Sequence, residues 1–156
     1  MNLDIKEVDN CNLFDDFVKN TPNSNFMQSC NWSMYQEKGL GRKTYRLGFF
    51  NQEELIATAY CYEISQTFGR YNYCSRGPIL KTLNSEIYKE VLEKLKEHFM
   101  NKGYVFLKID PSIKNDNSVS EVPLKMGFRK CINYVQPETP WFLDLVEGGE
   151  EEQMKW

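Results

Sequence analysis

The sequence lacks a long hydrophobic run, a signal peptide and a basic tract. A membrane-spanning helix needs about 18 or more largely apolar residues, and no segment of this chain approaches that length. The first residues, MNLDIK, do not show the basic and then apolar regions of a secretory signal. The 19 Lys and Arg residues are scattered through a chain of net charge −3, so this chain is not expected to bind nucleic acid directly. These absences predict a cytoplasmic protein.

The sequence also lacks the cysteine and histidine spacings of a disulfide framework, a metal site or a hydrolase. Its five cysteines are odd in number and widely separated, and no two of them form a C-x-x-C pair. We therefore interpret all five as small buried apolar side chains. His98 is the only histidine, and it is expected at the boundary of a helix rather than in a catalytic group. No metal and no cofactor is predicted.

The apolar content is sufficient for one folded domain. In a chain of 156 residues that is 41% hydrophobic, one sizeable core can be buried. We predict this domain at residues 1–146, and we expect the acidic stretch 147–156 to begin a linker or a further helix. Hydrophobic periodicity and helix-breaking or turn-forming residues predict the order of the elements. Two short helices capped by Asn12 and Asn31 come first, followed by antiparallel strands at 43–50, 55–64 and 70–75. A helix at 85–102, a strand at 105–109, a short helix at 120–126 and strands at 128–135 and 141–145 complete the order.

The helix at 85–102 is the most regular of these elements. Its apolar side chains share one face, and they are Tyr88, Val91, Leu92, Leu95 and Phe99. An apolar strand follows at 105–109, and a strand, a helix and a strand in this order place the two strands parallel. The predicted fold class is α/β (α+β), with a mixed, mainly antiparallel sheet and helices on both of its faces.

Four short motifs carry a family resemblance. They are Phe26-x-Gln28-Ser29-x-x-Trp32, Ser75-Arg76-Gly77-Pro78, Lys108-Ile109-Asp110-Pro111 and Gln136-Pro137-x-Thr139-x-Trp141-x-Leu143-Asp144-Leu145. The order of the predicted elements is that of the GNAT acyltransferase fold. Motifs and element order together resemble the first GNAT-like domain of the FemABX family, bacterial enzymes that add amino acids from aminoacyl-tRNA to the stem peptide of peptidoglycan precursors.

The resemblance implies that this chain is the amino-terminal half of such an aminoacyltransferase. It would contribute part of a groove for a lipid-linked or UDP-linked muropeptide precursor, whereas aminoacyl-tRNA would be accepted only through a second half. The residues that the resemblance assigns to substrate binding are Trp32, Lys38, Arg76, Gly77 and Asp110. Lys38 is included because some relatives carry a base after the tryptophan that can meet precursor phosphate. No catalytic residue can be assigned, so the chain alone is not expected to be active.

Three of these site residues also have a structural interpretation. Arg76 could bind phosphate or carboxylate, or it could steady its turn through an ion pair. Asp110 could accept hydrogen bonds from substrate, or it could cap the turn that follows it. Trp32 and the strand tyrosines could line a groove or pack in the core, and the tyrosines in question are Tyr60, Tyr62, Tyr71 and Tyr73.

Two other functions remain open on the sequence. One is a non-catalytic GNAT-like domain that self-associates, as a homodimer, through an uncovered apolar surface. The other is a small-molecule N-acetyltransferase, which would need successive backbone N–H groups to hold the pyrophosphate of coenzyme A. The matching segment, Arg76-Gly77-Pro78-Ile79-Leu80-Lys81, has one glycine and a proline without an N–H, and this disfavours coenzyme A.

Overall fold

A computed structural model describes residues 2–114, 118–132 and 135–137. The strands are β1 (Asp4–Glu7), β2 (Thr44–Asn51), β3 (Glu54–Gln66), β4 (Gly69–Arg76), β5 (Ile79–Leu80) and β6 (Leu107–Pro111). The α-helices are α1 (Cys11–Lys19), α2 (Cys30–Met34), α3 (Ser85–Asn101) and α4 (Val122–Lys125). Short 3-10 turns cover Phe26–Gln28 and Ser118–Glu121, and a π-helical turn, Tyr35–Gly39, continues α2.

The strands form one mixed sheet in the order β1-β2-β3-β4-β6, with β5 paired to β3. Every pairing is antiparallel except that of β4 with β6, which is parallel. The parallel pair joined through α3 and the fold class are therefore confirmed. Gly127, at φ 84°, follows α4 and ends it as expected, because glycine adopts this conformation without steric cost.

Apolar side chains cover both faces of the sheet. On one face, α3 packs Val91, Leu92 and Leu95 against β2 and β3. On the other face, α1 packs Phe14 and Val18 against buried tyrosines of β3 and β4. The amphipathic pattern of α3 identified its buried side in advance, because all five predicted apolar residues of that helix are buried.

Three local predictions near the amino terminus were wrong. Asn10 and Ser29 cap α1 and α2, each two residues before the asparagine predicted for that role. Asn10 Oδ1 accepts from the N–H groups of Asn12 and Leu13 at 3.1 and 3.2 Å, so Asn12 already lies inside the helix. A strand, β1, precedes both helices because its four residues pair antiparallel with β2, which sequence periodicity over so short a segment does not reveal.

The interpretation of the cysteines was wrong for three of the five. Cys11 and Cys30 form a disulfide with their Cα atoms 5.6 Å apart, because the two caps start α1 and α2 at these residues and the helix starts lie side by side. The Cys30 N–H also donates to Asp15 Oδ1 at 2.7 Å. Cys61 and Cys74 are buried as predicted, whereas Cys131 is exposed.

The predictions for the last third of the chain are corrected only in part. Residues 128–132 and 135–137 do not form a strand, and most of them are exposed rather than paired with β6. The predicted strand at 141–145, the motif residues from Thr139 onward and the acidic stretch 147–156 lie outside the described residues. No helix in the described part of the chain is long and apolar enough to cross a bilayer.

Candidate functional site

The parallel ends of β4 and β6 bring Asp110 and Arg76 together. The register pairs Ser75 with Asp110 and Arg76 with Pro111. Asp110 Oδ1 accepts from the Arg76 N–H at 2.6 Å, and Oδ2 accepts from the Tyr73 hydroxyl at 2.7 Å. Arg76 has a φ of 54°, which is uncommon for a residue other than glycine and points to a constraint at this position. Asp110 therefore caps a neighbouring strand rather than its own following turn.

Burial and hydrogen bonding shift the pKa values of both Asp110 and Tyr73. Burial raises the pKa of Asp110, and the hydrogen bonds from Tyr73 and Arg76, with the charges of Arg76 and Lys108, partly oppose that rise. Burial also raises the pKa of Tyr73, and the carboxylate beside it raises it further. The Lys108 ammonium lies 5.6 Å from the centre of the Tyr73 ring. A half-buried carboxylate with this environment can accept a further hydrogen bond from an amine or amide.

The side chain of Gln28 fills a gap between β3 and β4. Those strands pair from Tyr62 and Tyr73 toward the hairpin turn, and β3 then pairs with β5 at Thr58. In the gap, Gln28 Oε1 accepts from the Tyr60 N–H at 2.8 Å, while Nε2 donates to the Tyr60 carbonyl at 3.1 Å and to the Ser75 carbonyl at 2.6 Å. Gln28 thus replaces part of the main-chain ladder directly behind Arg76.

Gly77 fits this arrangement because it has no side chain. A Cβ at Gly77 would lie 2.6 Å from Cδ and Nε2 of Gln28, well inside van der Waals contact. Asn23 holds the next residues by donating to the Pro78 carbonyl at 3.1 Å and accepting from the Leu80 N–H at 3.2 Å. The segment from Arg76 to β5 is therefore fixed from behind by Asn23 and Gln28.

The aromatic residues divide into a core set and a surface set. Tyr60, Tyr62 and Tyr73 are 0%, 4% and 0% exposed, so the packing interpretation holds for these three. Trp32 is partly buried and contacts the rings of Phe26 and Tyr35, with centroids 5.5 and 5.4 Å away. Phe26 and Tyr35 are 64% and 51% exposed, so this surface set could contact a sugar or a peptide.

The other predicted site residues lie in different surroundings. The Arg76 guanidinium donates from Nη2 to the Pro137 carbonyl at 2.8 Å, and no ion pair to Arg76 occurs among the described residues. Lys38 is exposed on the π-helical turn after α2, and no hydrogen bond between described residues joins it to Asp110. The hydrogen bond from Tyr73 to Asp110 and the bridging role of Gln28 were not predicted, because only the strand register shows what these side chains contact.

A cavity of about 1110 Å³ runs along β6 beside this pair. Asp110 and Arg76 line it together with apolar side chains of α3 and α4, including Phe99 and Leu124. Basic residues also line it, and they are Lys96, Lys108, Lys114, Arg129 and Lys130. Asp110 is thus the single acidic residue in the described lining of the cavity, and the other charged residues of that lining are basic. No group of three potential metal ligands occurs in the described ranges.

Comparison with known proteins gives a family and a fold. The model of the FemAB family matches residues 11–132, while no curated protein sequence matches significantly. The crystal structure of FemX is similar with a TM-score of 0.69 and 22% identity, over 81% of this chain and 32% of that chain. The structure of a probable acetyltransferase is similar with a TM-score of 0.62 and 15% identity, over 90% of this chain and 100% of that chain. The structure of glucosamine-6-phosphate N-acetyltransferase from Arabidopsis thaliana is similar with a TM-score of 0.56 and 13% identity, over 89% of this chain and 100% of that chain.

These structural similarities confirm the GNAT-like acyltransferase fold. The identities are too low to show more than fold, and the chain spans about a third of the length of FemX.

Proposed function

The chain belongs to the FemAB family, and from this premise we propose that it forms the amino-terminal half of a Fem-type peptidoglycan transferase. The half comprises residues 1–146, and the acidic stretch 147–156 leads toward the next part of the enzyme. In this proposal the half binds the muropeptide precursor in the cytoplasm. Aminoacyl-tRNA reaches the complex through a second half, and this chain makes no nucleic-acid contact of its own.

The observation that supports precursor binding is the Asp110 carboxylate at the cavity beside β6. Tyr73 and the Arg76 N–H orient this carboxylate, and burial has already removed part of its hydration. A group prepared in this way loses little further hydration or freedom when it accepts a substrate N–H. The stem peptide of a muropeptide offers amide and amine donors of this kind, and Arg76, Gly77 and Asp110 form the candidate contact.

The surface aromatic set around Trp32 supports a second contact. Phe26, Trp32 and Tyr35 form an exposed cluster on the segment that Gln28 ties to the end of β4. Aromatic faces bind the apolar faces of sugars and peptide side chains. We assign this cluster, with Lys38 beside it, to the part of the precursor that lies farther from Asp110.

Calorimetry with a UDP-muropeptide tests the proposal on the full chain. We expect saturable binding that weakens at least about tenfold in Asp110→Asn, because a charge-assisted hydrogen bond is lost. Asp16→Asn is the matched control, since Asp16 is an exposed carboxylate of α1, and its affinity should stay within about twofold. No heat at millimolar precursor would contradict a binding role for this half.

A self-associating domain is the second candidate, supported by an exposed aromatic stack. Phe68 and Phe106 are 65% and 43% exposed, and Phe106 stacks on Tyr71 with ring centroids 4.4 Å apart. Exposed apolar patches often mark protein interfaces. Sedimentation over a wide concentration range tests this, because a monomer throughout would argue against a homodimer.

The acetyltransferase alternative has support from fold alone. After β4 the chain enters β5, and α3 begins only at Ser85, so the strand does not lead directly into a helix start. Acetyl-coenzyme A should therefore leave the melting temperature unchanged, whereas a ligand selective for the native state would raise it.

A further inference from the structure

Two arginines lie between α2 and the sheet without a carboxylate partner. Arg46 is opposite Tyr60 in the β2–β3 register, and Arg42 lies just before β2. Within the described residues neither guanidinium is within ion-pair distance of an acidic side chain. Both are partly buried. Taking a cation out of water without a counter-charge is costly, so such a pair indicates that an anion completes the site.

A neutral donor next to the arginines also lacks an acceptor. Tyr60 is fully buried, and its hydroxyl has no hydrogen-bond partner among the residues that the structure describes. Buried polar groups are almost always paired. Burial raises the pKa of Tyr60, while Arg42 and Arg46 lower it, which is consistent with two positive charges near this hydroxyl. Two cations and an unused donor, with no described acidic side chain within ion-pair distance of the arginines, have the chemistry of an oxyanion site.

The two guanidiniums are held in place by contacts that leave donors unused. Arg42 Nη1 donates to Gln36 Oε1 at 2.6 Å, and the Arg42 N–H donates to the Gln36 carbonyl at 3.1 Å. The Arg42 guanidinium also lies 4.9 Å from the centre of the Tyr62 ring. Arg46 Nη1 donates to Ser33 Oγ at 2.9 Å, and Nε donates to the Val8 carbonyl at 3.4 Å. Each guanidinium has five N–H donors, so each keeps capacity for a ligand.

We propose that Arg42 and Arg46 form an oxyanion-binding site between α2 and the sheet, with Tyr60 as a neutral donor, for a carboxylate or phosphoryl group. The arginine fork matches the spacing of two oxygens of either group. This site goes beyond the proposed function, which assigns no role to Arg42, Arg46 or Tyr60. A ligand at this position would contact the inner side of α2, whose other side carries the surface aromatic set.

Nuclear magnetic resonance of the full chain tests the site with inorganic phosphate in one arm and acetate in the other, at constant ionic strength. We expect saturable shifts of the arginine Nε–H signals of Arg42 and Arg46, assigned by substitution. Saturation by phosphate alone, by acetate alone or by both supports the proposal and names the group. Linear, unsaturated shifts with both ions would overturn it.

Variants separate a specific site from general charge attraction. Arg42→Gln should weaken the binding at least tenfold, and Tyr60→Phe should weaken it about threefold, whereas Lys43→Gln should change it less than twofold. Lys43 is the matched control because it is exposed, is adjacent to Arg42 and carries the same charge. Arg42→Lys keeps the charge without the fork, so full retention of affinity in that variant, or equal loss in Lys43→Gln, would overturn the assignment. Neither probe is a muropeptide, so this test can fail independently of the proposed function.

Discussion

Replacing Gln28 with methionine should remove a large part of the stability of this domain. The substitution keeps the length of the side chain but removes every polar atom that bridges the gap between β3 and β4. The Tyr60 N–H, the Tyr60 carbonyl and the Ser75 carbonyl then lose their partners. Because Gln28 is 0% exposed, water cannot replace these contacts without opening the sheet.

The expected magnitude follows from these three orphaned groups. An unsatisfied buried polar group costs about 1–3 kcal/mol, and the methionine side chain recovers roughly 1 kcal/mol through its apolar atoms. We therefore expect a loss of about 2–8 kcal/mol, which is a large fraction of the roughly 5–15 kcal/mol typical of a native domain. The melting temperature should fall by roughly 5 °C or more.

Urea unfolding followed by circular dichroism measures this loss. Gln66→Met is the control, because Gln66 is exposed at the end of β3 and its replacement should change stability by less than about 0.5 kcal/mol. If Gln28→Met costs less than about 1 kcal/mol at an unchanged m-value, the bridging role is refuted. Gly77→Ala gives a second test: its added Cβ would meet the Gln28 amide, so its cost should be smaller in a Gln28→Ala background.

Three further predictions concern titration and oxidation. Burial raises the pKa of Asp110, so the stability that its protonated form contributes is present below an unfolded pKa of about 3.9 and is lost as the pH rises through the folded pKa. In urea unfolding, the stability of Asp110→Asn relative to wild type should therefore increase as the pH rises above about 4. Burial lowers the pKa of His98, and Lys102 lowers it further. The ring-proton resonance of His98 should therefore titrate with a midpoint below about 6.5, and the corresponding stability should be lost as the pH falls through that midpoint. A midpoint at or above about 6.5 would contradict the lowered pKa. The unfolded chain should present three free thiols without reductant and five after reduction. The disulfide joins residues separated by 19 positions, so it should add about 3 kcal/mol to the free energy of unfolding. Five free thiols in both conditions would exclude the disulfide.

The parts of the fold that sequence predicts well are those with long periodic patterns. The helix predicted at 85–102 lies at Ser85–Asn101. An apolar stripe forms its buried face, Asn84 caps its start, and Gly103 follows its end at a positive φ. Short elements escape this reasoning. β1 has four residues and β5 has two, and each exists through its pairing with a longer strand, so local sequence contains little evidence for it.

The candidate site shows the same limit at the level of single residues. Asp110 and Arg76 could be singled out because each ends a predicted strand within a motif. That the Asp110 carboxylate accepts from the Arg76 N–H, and that Tyr73 donates to it, depends on a parallel register between strands separated by α3. The Cys11–Cys30 disulfide likewise depends on how two helix starts lie side by side, which cysteine spacing does not encode.

The first motif of the family resemblance has a mainly structural explanation. In Phe26-x-Gln28-Ser29-x-x-Trp32, Gln28 bridges β3 and β4, and Ser29 caps α2 by accepting from the Trp32 N–H at 3.2 Å. Phe26 is exposed and Trp32 is partly buried, and these two residues present aromatic surface to a ligand. A chain could therefore keep this motif to hold the strand end in place even if it bound no precursor. Binding measurements on Asp110, whose carboxylate lies beside a cavity, consequently test function more directly than any substitution in this motif.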